Sequence, residues 1–226
     1  MPDAVYVRDA FARIADRYVL TNHVLSCGAD IWWRKVVTAR IRKWKPRRLL
    51  DVASGTGDLA LEIQEQIPGC EVIATDFCAE MLAHASSRGL ARTQVADALD
   101  LPFADGSFDV VTVAFGLRNM ADYPKALREM RRVLKPGGRL VILDFSLPNG
   151  ILRAPYRFYL HRILPHLAGL LTGQKDAYEY LGGSIEQFPS GRGMTDLLEN
   201  CGFAETDATP LNFGVVSIYQ GTRSEA

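Results

Sequence analysis

The sequence lacks the features that mark several classes of protein. Its 226 residues have no net formal charge, with 26 basic and 26 acidic side chains, whereas duplex nucleic-acid binders usually have a basic excess. The four cysteines form no CxxC pair and show no metal-ligand spacing, which argues against a zinc site or a disulfide framework and for a reducing compartment. No apolar run approaches the ~18 residues of a membrane span, and MPDAVYVRDAF carries acids where a signal peptide has a basic region and an apolar core. We expect a cytoplasmic protein that binds neither metal nor nucleic acid.

Apolar residues make up 48% of the chain, enough for the core of one α/β domain. Short apolar runs, typical of strands covered on both faces, lie at residues 47–54, 71–77, 93–98, 108–116, 139–146 and 215–222. Helical patterns separate several of them, such as the recurrence of apolar residues from Asp122 to Leu134. Alternating strands and helices predict right-handed crossovers and a parallel sheet. The KPGG run at 135–138 is expected to end a helix and turn into the next strand.

A glycine turn follows the first predicted strand. Gly55 and Gly57 let the backbone pass close to a ligand, and the free amides of the next helix face it. Asp76 ends the second strand, where it is placed to accept two ribose hydroxyls. Asp97 ends the third, where its carboxylate would accept from a purine amine beside the Ala98 amide. Either acid alone fits a turn or helix cap as well, but the three features on successive strands predict a nucleoside site.

Two ligands fit a ribose clamp under a glycine turn, a nicotinamide dinucleotide and S-adenosylmethionine. The dinucleotide pattern GxGxxG is approached by GTGDLA, in which Ala60 takes the third place. Asp58, however, puts a carboxylate where the pyrophosphate would lie. A negative charge there disfavours a dinucleotide and favours a sulfonium or ammonium group, so the residues favour S-adenosylmethionine.

Several motifs resemble known enzymes. Resemblance to class I S-adenosylmethionine-dependent methyltransferases is carried by residues 51–58, Asp76, Asp97 with Ala98, 101–111 and 133–146. Within that class the chain resembles the UbiE/MenG family of C-methyltransferases of ubiquinone and menaquinone biosynthesis, from about residue 11 to residue 221. The motifs specific to this family are AFGLRNM at 114–120, Phe11–Ala15 with Tyr18 and Asn22, Ser26–Gly28 ahead of Trp33 and Arg34, Asp176–Tyr178, and Tyr180–Ile185.

The resemblance implies a Rossmann-like α/β fold with a mostly parallel seven-stranded sheet and helices on both faces. It implies one domain over 1–226, with a helical head at 1–45, a cofactor-binding core at 46–149, a helical insert covering the substrate at 150–190, and a C-terminal helix and strands at 191–226. It also implies methyl transfer from S-adenosylmethionine to a ring carbon of a polyprenylated quinol. We expect demethylmenaquinol as acceptor. A benzoquinol, another phenolic lipid, and a non-catalytic nucleoside-binding subunit stay open as alternatives.

The resemblance also implies site residues. The expected cofactor-binding residues are Asp51, Gly55, Thr56, Gly57, Asp58, Asp76, Phe77, Asp97, Ala98 and Ala114. Among them Thr56, Asp76 and the pair of Asp97 and Ala98 match family positions. Ala114 stands where the family usually has Ser, so a hydroxyl contact is absent there.

Catalysis requires a nucleophilic ring carbon, which a quinol gains when the neighbouring hydroxyl loses its proton. Arg118 is expected to stabilise the developing phenolate and to orient a water that accepts the proton, and Asn119 to hydrogen-bond a quinol oxygen. His161, which matches a family histidine, is a second candidate for proton transfer. The alternatives are that Arg118 pairs with an acid and that Asn119 caps the helix starting near Asp122.

The acceptor side is assigned to the insert. Residues 151–171 combine apolar and aromatic side chains with arginines and histidines. This composition suits a prenyl channel whose basic rim rests on anionic headgroups, or an amphipathic hairpin that closes one face of the core. Tyr178 and Tyr180 are expected to form a substrate wall, or to be core aromatics. Peripheral membrane contact and a homodimer also stay open.

The chain departs from the family pattern in three further places. The interval between Asp76 and Asp97 is several residues shorter, which predicts a short second crossover helix. Residues 186–188 are Glu-Gln-Phe where the family tends to have Arg and His, and Tyr219 stands where a His is common. Substrate choice is the expectation that these changes affect most.

Overall fold

The computed structural model describes residues 26, 28–148, 150–166, 169 and 182–224. Most of the expected helical head, with the family motif at 11–22, lies outside the described residues. Tyr178 and Tyr180 do too, so their expected contact with the substrate stays a prediction.

Seven strands form one sheet in the order β3-β2-β1-β4-β5-β7-β6. The strands are β1 (Arg48–Val52), β2 (Glu71–Asp76), β3 (Thr93–Val95), β4 (Phe108–Ala114), β5 (Leu134–Phe145), β6 (Phe203–Leu211) and β7 (Val216–Arg223). The first five run parallel, and β7 is antiparallel to both β5 and β6. The expected seven-stranded, mostly parallel sheet is confirmed.

Helices flank the sheet and connect its strands. They include α1 (Ala29–Arg42), α2 (Asp58–Gln66), α3 (Ala79–Ser87), α4 (Tyr123–Val133), α5 (Arg153–Phe158) and α6 (Arg192–Asn200), and residues 182–187 are helical as well. With nine residues, α3 is the short second crossover that the sequence predicts. None of the helices in the described ranges is long and apolar enough to cross a membrane.

The apolar strands are buried between two helical layers. Alternate strand residues point to opposite faces of the sheet, so Leu49 and Val110 join a cluster with Trp33 of α1 and Ile63 of α2. Leu50, the neighbour of Leu49, belongs instead to the cluster that includes residues of α4 and α6. Cover on both faces explains why these strands are continuous apolar runs rather than alternating ones.

Two elements differ from the sequence-based expectation. The KPGG turn expected at 135–138 lies inside β5, because the pairing with β4 shifts register between Phe108 and Val110 and accommodates the run as a bulge. Gly137 takes φ +72° there, a conformation that favours glycine. Strand β6 was implied only as one of the C-terminal strands within 191–226 and not located by an apolar run, because it is an edge strand whose residues are mostly half-buried or exposed.

The strand order places the candidate site. The order reverses between β1 and β4, and in open α/β sheets a crevice forms at this point beyond the carboxyl ends of the strands. The loops after β1, β2 and β4 therefore meet at one edge of the sheet.

Candidate active site

The turn after β1 passes close to two neighbouring elements. Ala53 and Gly55 take φ +51° and +57°, and a Cβ added to Gly116, after β4, would lie 2.6 Å from the Ala53 Cβ. Gly57 precedes α2 with φ +80°, and a Cβ there would lie 2.9 Å from the Ala85 Cβ of α3. Gly57 thus allows close packing of helices, while Gly55 lines the cleft described below.

Asp51 lies on β1 beneath the turn, with 1% of its surface exposed. Its Oδ2 accepts from the Ser54 hydroxyl at 2.6 Å and its Oδ1 from the Thr112 hydroxyl at 2.5 Å. Burial raises the pKa of this carboxyl to about 6, although both hydrogen bonds act to lower it. Near neutral pH its protonation therefore responds to small changes of surroundings.

Asp76 ends β2, where the sequence places it. Its Oδ2 accepts from the Gly55 amide at 2.8 Å and its Oδ1 from the Cys78 amide at 2.9 Å. Burial raises the pKa of the carboxyl, and these amide hydrogen bonds oppose the rise. The Phe77 amide also hydrogen-bonds the carboxyl, and with about four lone-pair sites the carboxylate keeps acceptor capacity for a ligand hydroxyl. The next side chain, Phe77, is 39% exposed.

These residues surround a cleft with an empty volume of about 770 Å³, including its open mouth. It is lined by Arg34, Asp51, Ala53, Ser54, Gly55, Thr56, Asp58, Leu59, Asp76, Phe77, Met81, Ala114, Phe115, Gly116 and Asn119. The cleft combines a buried carboxylate with open acceptor sites, an exposed aromatic ring and a backbone turn without side-chain bulk at Gly55. This donor and acceptor set fits a nucleoside carrying a ribose diol.

Asp58 begins α2 and lies near two arginines that are distant from it in sequence. Its Oδ1 accepts from Arg88 Nη1 at 2.6 Å, and its Oδ2 accepts from the Thr56 hydroxyl at 3.1 Å. Arg34 Nη2 lies 3.7 Å from the same Oδ2. The arginines compensate part of the Asp58 charge, so this carboxylate separates a dinucleotide from S-adenosylmethionine less sharply than its charge alone predicts.

Asp97 and Ala98 are not among the lining residues of the cleft. The Ala96 amide donates to the Asp76 carbonyl at 3.0 Å. Asp97 and Ala98, which come next in the chain, therefore lie at the same edge of the sheet as Asp76. The Asp97 side chain is exposed, and its Oδ1 accepts from the Leu99 amide at 2.9 Å. This is the turn-capping arrangement that was the alternative from sequence, and contact with a purine amine stays a prediction.

Arg118 does not line the cleft. Its side chain is buried, and Nη1 donates to Asp144 Oδ1 at 2.5 Å and to the Phe115 carbonyl at 2.8 Å. Asp144 lies on β5 and is fully buried, and burial raises the pKa of its carboxyl despite the arginine. Arg118 thus pairs with an acid, which was the alternative from sequence, and its direct contact with substrate stays a prediction.

Asn119 does line the cleft. Its Nδ2 lies 3.4 Å from the Phe115 carbonyl, a long hydrogen bond. The cap of α4 is Asp122, which accepts from the Lys125 amide at 2.9 Å. Asn119 therefore does not cap that helix.

An aromatic wall adjoins Asn119 and was missed from sequence. The ring of Phe115 lies 6.0 Å from that of Trp33 and 4.9 Å from that of Phe145, between centroids. Phe115 takes φ +58°, and such strain in a non-glycine residue is common at functional sites. The sequence does contain a signal for this wall, since Phe115 directly follows β4 and Phe145 ends β5.

His161 is not among the lining residues of the cleft. It lies after α5, where its Nε2 is 3.1 Å from Glu186 Oε2, and Arg157 pairs with the same carboxylate. Two residues at positions that depart from the family pattern are buried. Phe188 packs edge-on against Tyr123, and the Tyr219 hydroxyl accepts from the Gly191 amide at 3.2 Å.

Comparison with known proteins decides the family. The model of the ubiE/COQ5 methyltransferase family matches residues 2–223. The chain belongs to this family. It is 48% identical to the demethylmenaquinone methyltransferase of Thermus thermophilus, over 94% of this chain and 99% of that protein. It is 41% identical to the ubiquinone/menaquinone biosynthesis C-methyltransferase UbiE of Bdellovibrio bacteriovorus, over 98% and 97%. The resemblance found from sequence is confirmed.

Solved structures show the fold. A SAM-dependent methyltransferase from Thermotoga maritima superposes with a TM-score of 0.69 at 19% identity, over 95% of this chain and 98% of that chain. Phosphoethanolamine N-methyltransferase 2 of Haemonchus contortus, in complex with S-adenosylmethionine, superposes with a TM-score of 0.59 at 15% identity, over 79% and 49%. The class I methyltransferase fold is thereby confirmed. Membership of the ubiE/COQ5 family makes the chain a methyltransferase.

Proposed function

We propose that this methyltransferase transfers a methyl group from S-adenosylmethionine to a ring carbon of a polyprenylated quinol, with demethylmenaquinol as acceptor. The observation that carries the proposal is the cleft at the strand-order reversal, where Asp76 ends β2 beside the Gly55 turn. The named activity of the Thermus thermophilus relative, 48% identical, favours the naphthoquinol over a benzoquinol.

The residues of the cleft suit the nucleoside end of S-adenosylmethionine. Asp76 would accept from the ribose hydroxyls through the lone pairs that its amide bonds leave free. The exposed ring of Phe77 offers a stacking face for adenine. Thr56, the residue after Gly55 in the turn, lines the same cleft. When bound, S-adenosylmethionine supplies an electrophilic methyl group. Asp97 and Ala98 remain proposed contacts to adenine at the same edge.

The residues beside the nucleoside pocket suit the acceptor ring. Asn119 is proposed to hydrogen-bond a quinol oxygen and fix the ring in the in-line orientation that the transfer requires. Phe115, which lines the cleft and is backed by the rings of Trp33 and Phe145, would exclude water from the reacting carbon. Arg118 acts as a positioning residue in this proposal, because it holds the Phe115 carbonyl from behind.

An exposed apolar surface supports peripheral membrane contact, as a long prenyl tail requires. Ile151, Phe213 and Phe158 are 92%, 87% and 62% exposed, and such large apolar side chains are costly in water. A Cβ added at Gly214 would lie 3.3 Å from the Pro148 Cα, so the turn at 212–214 lies close to the chain that leads into the turn at 150–152. Exposed arginines, Arg153 and Arg162, complement anionic headgroups.

Vesicle sedimentation tests this surface. Replacement of Ile151 and Phe213 by Ser should lower binding to phosphatidylglycerol vesicles several-fold, and high salt should weaken the binding of the unaltered protein. Val95→Ser is the matched control, since Val95 is 56% exposed on β3, at the other edge of the sheet. Absence of binding by the unaltered protein, or equal loss in the control, would refute membrane contact.

A homodimer is also proposed, and light scattering would detect it.

Calorimetry tests the cofactor assignment. We expect S-adenosylmethionine to bind, and Asp76→Ala to reduce its affinity at least tenfold, since hydrogen bonds to a charged group are lost. Asp196→Ala is the control, because Asp196 is exposed on α6 and 3.7 Å from Arg192. An unchanged affinity of Asp76→Ala for S-adenosylmethionine would refute the assignment of this cleft as the cofactor site.

Acceptor choice is tested with a mixture of reduced quinones. The proposal expects methylation of demethylmenaquinol ahead of a polyprenyl benzoquinol, and the broader name of the Bdellovibrio bacteriovorus relative makes the benzoquinol the second candidate. Cofactor binding without methylation of either quinol would favour another phenolic lipid as acceptor.

A further inference from the structure

Among the described residues that line the cleft, Arg34 is the single basic side chain. It projects from α1, and 7% of its surface is exposed. Three acids, Asp51, Asp58 and Asp76, line the same cleft. Because Arg34 lies near Asp58 at the start of α2, it would face the part of a bound ligand that lies beside this helix.

One edge of the guanidinium is anchored. Arg34 Nη1 donates to Asp30 Oδ2 at 2.8 Å, one turn earlier on the same helix, and Asp30 Oδ1 accepts from the Ser26 hydroxyl at 2.6 Å. Both charged side chains are almost fully buried. The anchor fixes the direction of the guanidinium, so a ligand would meet a preorganised group.

The other edge of the guanidinium, at Nη2, can still donate hydrogen bonds to a ligand. Arg34 Nη2 lies 3.7 Å from Asp58 Oδ2, beyond hydrogen-bond distance. The hydrogen bonds to Asp58 come instead from Arg88 and Thr56. Asp58 therefore lies near Arg34 without occupying Nη2.

A carboxylate ligand matches this group. The methionyl end of S-adenosylmethionine carries an α-carboxylate, and three acids around the cleft would repel it unless a cation is present. An arginine fork binds a carboxylate through charge-assisted hydrogen bonds. We propose that Arg34 binds the α-carboxylate of the methionyl end of S-adenosylmethionine. This inference rests on the proposed function, which makes S-adenosylmethionine the ligand.

Arg88 provides a matched control. It also contacts Asp58, but Nη1 is occupied by the Thr56 carbonyl at 2.8 Å and by Asp58 at 2.6 Å, and it does not line the cleft. Loss of Arg88 should loosen the turn for every nucleoside ligand alike. Loss of Arg34 should affect only ligands that have a carboxylate.

Titration calorimetry with two ligands separates these effects. S-adenosylmethionine carries the carboxylate, whereas decarboxylated S-adenosylmethionine keeps the sulfonium and the amine without it. We expect Arg34→Gln to lower affinity for the first roughly ten- to a hundredfold and for the second less than about threefold. Arg88→Gln should change both affinities by the same factor. Arg34→Lys, which keeps the charge without the fork, should fall between the unaltered protein and Arg34→Gln.

Each outcome bears on the inference. Equal loss for both ligands in Arg34→Gln, or no loss for either, overturns it while the proposed function stands. Failure of the unaltered protein to bind S-adenosylmethionine overturns the proposed function itself. If Arg34→Gln does not fold, as judged by circular dichroism, the ligand selectivity of Arg34→Lys decides, and an unchanged ratio of the two affinities overturns the inference.

Discussion

The buried pair of Arg118 and Asp144 permits a prediction that separates a positioning role from a catalytic one. The two side chains are 6% and 0% exposed and joined by one hydrogen bond of 2.5 Å. Arg118 Nε and Asp144 Oδ2 are buried without a hydrogen-bond partner in the described part of the chain. The pair is therefore incompletely compensated, which agrees with the raised pKa of Asp144.

Arg118→Gln would leave the Asp144 charge buried without its cation. Removing one partner of such a pair costs about 3–5 kcal/mol, a large part of the 5–15 kcal/mol by which domains are usually stable. Urea unfolding at pH 7, followed by tryptophan fluorescence, measures the loss. Replacing both residues, Arg118→Met with Asp144→Leu, should recover most of it, since no buried charge remains.

One pattern of results would refute the positioning role of Arg118. If Arg118→Gln lost less than about 1 kcal/mol of stability while kcat fell a hundredfold, the guanidinium would act on substrate directly. The double variant distinguishes the two cases further. Recovery of stability together with S-adenosylmethionine affinity supports positioning, because neither residue lines the cleft.

Two more predictions concern the turn after β1. Burial raises the pKa of Asp51 from its ordinary value of 3.8 to about 6. The stabilisation that this group contributes is therefore fully present below about pH 4 and is lost as pH rises through 6, by roughly 3 kcal/mol. Asp51→Asn should remove that part of the pH dependence of urea unfolding between pH 4.5 and 7, and a variant as pH-dependent as the unaltered protein would contradict this. Gly57→Ala should lower the free energy of unfolding by about 1–3 kcal/mol, because it combines φ +80° with a 2.9 Å approach to Ala85. Gly69→Ala is its control, at φ +89° with no atom within 4 Å of the added Cβ, and an equal loss in both would show that close packing contributes nothing.

Features that depend on one short stretch of sequence were predictable. The central strands are continuous apolar runs, and the glycine turn lies between a strand and a helix in the chain itself. Asp76 is placed because it ends such a run. The same rule fails for Asp97, since the ladder of β3 ends at Val95 and the two residues that follow allow its side chain to turn back to its own backbone.

Features that depend on strand register or distant contacts were not predictable. Asp144 meets Arg118 only because β4 and β5 pair in a register that places Ala114 beside Leu143. The sequence does not show which of several acids would meet the arginine. The two arginines around Asp58 come from α1 and from the end of α3, and only the packed fold brings them to one carboxylate.

Isotope-labelled turnover tests the central claim most directly. The protein is incubated with reduced demethylmenaquinone and S-adenosylmethionine carrying a trideuterated methyl group, and the quinone is analysed by mass spectrometry. The account predicts one labelled methyl group on a ring carbon of the naphthoquinone, and loss of that product in Asp76→Ala. S-adenosylmethionine that binds but leaves every added quinol unlabelled would contradict it.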